Sequence, residues 1–216
     1  TFFAISMSIN MFITGGRAGQ VMYFSMLAII IFQYFNAQKI KSLLLILVLI
    51  PGIFFTAYST SNLFQQRVDA AVTNIVDYSE NRHTSVGLRI TFILNSWEAI
   101  KENPIIGFGT GDFPIEYKKI NKINTPELPN ATNPHNMYVL IAMQLGAIGI
   151  ISMLSIFYYQ IKFSYNSSST LIRNAGTALP VLFFVVMFSD SYLLGHFTSL
   201  MFIFFSSFLY KDFENS

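Results

Sequence analysis

The chain has 216 residues, 53% of them hydrophobic and only 11% charged, with 23 Phe, 11 Tyr and a formal charge of +2. Soluble domains carry about 25% charged residues, so the composition excludes an ordinary soluble domain and gives no case for a nucleic-acid partner. The absence of cysteine excludes disulfides, thiolate nucleophiles and Cys-ligated zinc.

The apolar residues gather in runs long enough to cross a bilayer, which takes roughly 20 residues as a helix. Residues 1–14 form the tail of a span, and the chain as a whole is expected to be the C-terminal part of a longer polytopic protein. Gly15-Gly16-Arg17-Ala18-Gly19 then predicts a tight turn, because closely spaced glycines permit positive φ and close backbone approach. Spans follow at 18–35 and 42–58, joined by the polar loop 36–41. Pro51-Gly52 inside the second is expected to kink it, as membrane helices tolerate.

Residues 59–134 are the one large hydrophilic region. Within it, 88–103 (LRITFILNSWEAIKEN) predicts an amphipathic helix. Leu88, Phe92, Ile93, Trp97 and Ile100 form its apolar face, and Pro104 ends it. Gly107-Phe108-Gly109-Thr110-Gly111 looks like a phosphate loop but lacks the Lys and Ser/Thr of one, so a sharp return of the chain is the better reading. Met137 to Ile161 is the clearest span. After the loop 162–173, residues 175–210 contain no Lys or Arg and are too long for one crossing. They predict a hairpin of helices turning around Ser189 to His196.

Short loops rich in Lys and Arg stay cytoplasmic. Lys39, Lys41, Lys162, Arg173 and Lys211 fall on one side when the spans alternate. Arg17, Arg89, His135, Asp190 and His196 fall on the other. Arg17 is either an interfacial arginine that snorkels to lipid phosphate or a planar fork for a phosphate ligand. Arg89 taken alone is an ordinary surface charge. His135, in Asn133-Pro134-His135-Asn136 directly before a span, has the residue type of a base, since imidazole exchanges protons near neutrality. Its plain alternative is a histidine that caps the helix. Asp190 and His196, ionisable groups near the membrane, are candidates by default or turn residues that bond across the hairpin. No spaced set of ligands suggests a metal, and no cofactor is expected.

TGGRAG at 14–19, LRITFILNSWEAIKENPIIGFGTGDF at 88–113 and NPHNMYVLIAMQLGAIGI at 133–150, in this order and with a large loop between spans, resemble the O-antigen ligase and polymerase family of bacterial membrane glycosyltransferases. The resemblance implies an all-α integral membrane protein. About five complete transmembrane helices plus a partial N-terminal one surround a large periplasmic loop containing an amphipathic helix. The segments are 1–58 (membrane helices with the Gly-Gly-Arg turn), 59–135 (the loop) and 136–216 (membrane helices and cytoplasmic tail).

The resemblance also implies a multi-pass protein of the bacterial inner membrane with its site facing the periplasm. It implies a polyprenyl-pyrophosphate-linked glycan as donor, a glycan or lipid A-core as acceptor, membrane lipids as surroundings, and no metal. Its functional residues map onto His135, Arg17 and Arg89 as the catalytic group. Apart from the resemblance, Gly16, Asn136, Trp97, Asp190 and His196 are further candidates, with the two arginines, for substrate binding. Ligase and polymerase are not separated by these residues. A transporter or flippase of lipid-linked glycans would use the same arginines without needing His135 as a base, and a structural subunit would use the charges only to set topology.

Overall fold

The computed structural model describes residues 2–13 and 17–211, the side chains of 2–5, 7 and 17 excepted. Among the described residues all regular structure is helical, in the order α1 (Phe2–Ile13), α2 (Arg17–Tyr34), α3 (Lys39–Thr60), α4 (Asn62–Val76), α5 (Ser85–Glu102), α6 (Phe113–Asn124), α7 (Met137–Tyr165), α8 (Thr170–Val186) and α9 (His196–Leu209). α3 and α7 are long and apolar enough to cross a membrane, and the stretches Ala18–Tyr34, Thr170–Val186 and His196–Leu209 are shorter apolar helices. The chain divides into two compact units, Thr1–Asp77 and Tyr78–Ser216.

In the first unit α1 to α4 close over an aromatic core. Phe12 and Phe64 meet edge to face at 5.3 Å, and Tyr23 stands edge-on to Phe12 at 5.8 Å. Ser61 starts α4: its hydroxyl accepts from the Phe64 N–H and donates to the Phe12 carbonyl at 3.0 Å. One short side chain thereby caps α4 and ties it to α1.

The second unit is organised by α7 and α8. Gly176 on α8 lets Ser164 of α7 approach so closely that an added Cβ would strike its hydroxyl. At this end the Tyr210 hydroxyl donates to the Gly176 carbonyl at 2.6 Å, and the Gln160 amide donates to Ser206 at 3.1 Å. The turn expected around Ser189 to His196 is present, between the end of α8 and the start of α9.

α7 is not the straight span its composition suggests. Gly146 has φ 60° and ψ −156°, and the axis breaks there. Gly149 lies against Ile141, whose Cγ2 would be 2.9 Å from an added Cβ. Eight residues on a straight helix are about 12 Å apart, so the chain turns sharply at Gly146. The arm 147–165, about 28 Å long at 1.5 Å per residue, matches a bilayer's hydrocarbon thickness.

A break frees backbone groups, and in this protein another piece of the chain takes them up. The N–H groups of Phe108 and Gly109 donate to the carbonyls of Met143 and Gln144 at 3.0 and 2.9 Å. The carbonyls of Pro104 and Ile105 accept from Ala147 and Ile148 at 2.9 and 3.2 Å. Gly107 and Gly146, both at positive φ, permit this backbone-to-backbone approach; a Cβ on either would collide with the chain opposite. The Gly-Phe-Gly-Thr-Gly stretch does more than return the chain: it docks the α5–α6 connection into the broken helix.

α5 and α6 pack on this arrangement. The buried face of α5 carries Thr91, Phe92, Asn95, Ser96, Ala99 and Ile100, which differs from the face expected from the sequence. Trp97 points outward and is 58% exposed, because at 100° per residue it lies about 140° around the helix from Phe92. The buried stripe is partly polar since Asn95 serves as a hub. Its amide donates to Thr125 at 2.7 Å and to Asn121 at 3.3 Å, and Asn121 in turn donates to the Leu128 carbonyl at 3.0 Å. The network fixes α6 and the following loop to α5, and that loop delivers His135 to the start of α7.

Candidate active site

His135 occupies the left-handed region at φ 52°, uncommon for a residue with a Cβ. The surroundings explain how it is held. Its N–H donates to the Asn133 side chain at 3.0 Å, and the same Asn133 oxygen accepts from the Ser191 hydroxyl at 2.7 Å. Capping falls to the next residue: Asn136 accepts from the Val139 N–H at 3.1 Å and donates to the Phe188 carbonyl at 3.2 Å. The Met137 N–H donates to the Met187 carbonyl at 3.0 Å. The start of α7 is thus laced to the end of α8, and His135 is released from capping. Its ring rests over Phe92 with centroids 6.4 Å apart.

The imidazole Nδ1 meets Asp190 Oδ1 at 3.1 Å. The same oxygen accepts from the Ser191 N–H at 2.7 Å, which fixes the carboxylate. Its other oxygen, Oδ2, faces Arg89 Nη2 at 4.0 Å, and Arg89 Nη1 donates to the Ser189 carbonyl at 3.4 Å. Residues 89, 135 and 190 come from α5, the loop before α7 and the α8–α9 turn. All three remain partly exposed, with side-chain values of 46, 37 and 36%.

Tyr192 belongs to the same surroundings and was not singled out by the sequence. Burial pushes its phenol up, a hydrogen bond with Ser189 pulls it down, and the Asp190 and Arg89 charges respectively raise and lower it. The net shift is upward, so the hydroxyl stays protonated near neutrality as a donor.

The tautomer in which Nδ1 donates to Asp190 Oδ1 leaves Nε2 with a lone pair. An accessible imidazole, a carboxylate in contact with it and a guanidinium with N–H groups to spare stand within one cluster. That arrangement can accept a proton from a bound hydroxyl and hold an anion beside it.

The remaining sequence candidates are placed as follows. Arg17 is the first residue of α2, in the first unit; its side chain and Gly16 lie outside the described residues. Both ends of the Asn136 amide are engaged within the chain. Trp97 stands eight residues along α5 from Arg89, roughly 12 Å. The His196 ring, at the start of α9, meets Phe197 with centroids 5.7 Å apart. Among the described residues no group of three or more His, Asp or Glu side chains is arranged to hold a metal ion.

The fold and site define an all-helical chain, with helices able to span a membrane, that gathers a histidine, a carboxylate and an arginine at one cluster. The sequence pattern of the O-antigen ligase family matches residues 2–154, and the chain belongs to this family of membrane proteins. It is also 33% identical over 150 residues to an uncharacterized protein of Haemophilus influenzae, an alignment that covers 67% of this chain and 37% of the relative. The match to the family includes Arg17, Arg89 and His135 and stops before Asp190.

Proposed function

We propose that the protein transfers a glycan from a polyprenyl-pyrophosphate carrier to a sugar hydroxyl, in the manner of an O-antigen ligase or polymerase, on the periplasmic face of the inner membrane. Family membership supports glycan transfer in general. The observation that carries the chemistry is the junction of His135, Asp190 and Arg89. His135 Nε2 takes the proton from the acceptor hydroxyl as its oxygen bonds to the anomeric carbon. The bond from that carbon to the pyrophosphate breaks, and the electron pair leaves with the carrier. Attack from the face opposite the leaving group inverts the anomeric centre.

Asp190 orients the imidazole and stabilises the imidazolium that forms. Arg89 meets the charge that grows on the departing pyrophosphate, where a preorganised donor contributes most. Arg17 is retained from the sequence reading as a further guanidinium for a phosphate-bearing ligand. Guanidinium groups supply the positive charge that the leaving group requires.

The test uses the full-length protein in proteoliposomes with a polyprenyl-pyrophosphate glycan, with and without lipid A-core, and resolves the products by size. Glycan on lipid A-core identifies a ligase, and a ladder of lengthened carrier-linked glycan a polymerase. Either product should be lost in His135→Ala and strongly reduced in Arg17→Lys. Carrier moved across the membrane with no new glycosidic bond would overturn the proposal in favour of transport.

A further inference from the structure

Between α5 and α6 the chain shows an apolar surface that the site does not use. From residue 103 to residue 111 it carries no Lys, Arg, Asp or Glu, although this stretch falls inside the region that reads as a hydrophilic loop. Ile105 and Ile106 are 65% and 66% exposed, whereas Phe108 turns inward and packs on the core. The exposed pair continues a larger surface. Ile105 is bonded through its carbonyl to Ile148, and Ile148 and Ile151, 55% and 63% exposed, lie on the membrane-length arm of α7.

Non-helical backbone enters a bilayer only where its polar groups find partners within the protein. The docking into the α7 break meets that condition on the side facing α7, through four backbone hydrogen bonds. Two large aliphatic side chains beside a transmembrane surface would also carry a hydrophobic penalty in water that acyl chains remove.

We propose that Ile105 and Ile106 insert into the bilayer as a wedge, surrounded by the acyl chains of one leaflet and continuous with the lipid-facing side of α7. The wedge is the direct extension of α5, which carries Arg89. It grips the bend of α7, whose first arm begins beside His135. It therefore sets the depth of both groups relative to the membrane surface. This inference is independent of the glycan-transfer reading.

These 216 residues contain one tryptophan, Trp97, which simplifies the test. In a background with Trp97 and any tryptophan outside these 216 residues replaced by Phe, Ile106→Trp is the single reporter of the full-length protein. Reconstitution is in phosphatidylcholine vesicles with plain or acyl-brominated chains. Insertion predicts blue-shifted emission, quenching by brominated lipid as strong as that of an Ile151→Trp reporter, and protection from aqueous iodide. Ile123→Trp, at an exposed end of α6, provides the comparison expected to show the reverse. Quenching of the Ile106 reporter by iodide and not by bromine would overturn the proposal, since the loop would then lie in water. Quenching by neither would also overturn it, because protein would cover the surface. Ile105→Trp, read the same way, guards against a defect peculiar to one variant, and an unchanged thermal midpoint verifies folding.

Discussion

Among the residues of the site, Asp190 is the one whose importance depends on geometry. It holds His135 through one oxygen, faces Arg89 with the other, and is itself fixed by the Ser191 N–H. Asp190→Asn should preserve shape but lose the charge and the preference for the proton on Nδ1. Turnover is expected to fall by about two to four orders of magnitude, the range for loss of an oriented base, with acceptor KM little changed. Asp190→Glu should recover part of it. Full turnover in the Asn variant would remove Asp190 from the mechanism. At Arg89, substitution by Lys keeps the charge but loses the fork, so donor binding and turnover should both weaken in the same steady-state assay.

At the scale of elements, the informative feature is the broken α7 and the loop docked into it. Gly146→Ala would place a methyl against the Ile105 carbonyl in a residue at positive φ. The backbone strain alone, in a region of positive φ and extended ψ that is essentially confined to glycine, costs about 1–3 kcal/mol, and the collision adds to it. A clear drop in the thermal midpoint in detergent is expected. Gly52→Ala offers the contrast: this position is helical and nothing lies within 4 Å of the added atom. Alanine there should stabilise α3 by up to about 1 kcal/mol. Equal responses at the two positions would refute the docking geometry. Asn136→Ala should cost about 1 kcal/mol for the lost cap, and leaves the Phe188 carbonyl without this donor.

At the scale of the whole molecule, the alternating charge of the short loops predicts sidedness, which single cysteines read once any cysteine outside these 216 residues is replaced. A single Asn124→Cys, exposed at the end of α6, should react with an impermeant maleimide from the periplasmic side of intact spheroplasts. Asn166→Cys, exposed after α7, should react only once the membrane is permeabilised. Labelling of both from one side would overturn the orientation, and with it the periplasmic site.

The sequence by itself determined the class of protein: runs of apolar residues needed no tertiary information to indicate membrane helices, because length and lack of charge are local properties. The candidates His135 and Asp190 were legible too, since ionisable groups beside apolar runs stand out in composition, whereas Arg89 stood out only through the family resemblance. What remained hidden depended on long-range backbone and side-chain contacts. The spacing of hydrophobic residues in α5 suggested an apolar face that included Trp97, but the real buried face is chosen by the polar hub at Asn95. The uninterrupted hydrophobicity of 137–161 concealed a sharp bend, because Gly146 is as compatible with a helix interior as with a break until a partner strand of backbone satisfies the freed groups. Only the fold placed Asp190, 55 residues after His135, against that histidine, and gave capping to Asn136. Pairings across such separations depend on how α7 and α8 pack, a property of three-dimensional closure that no local pattern encodes.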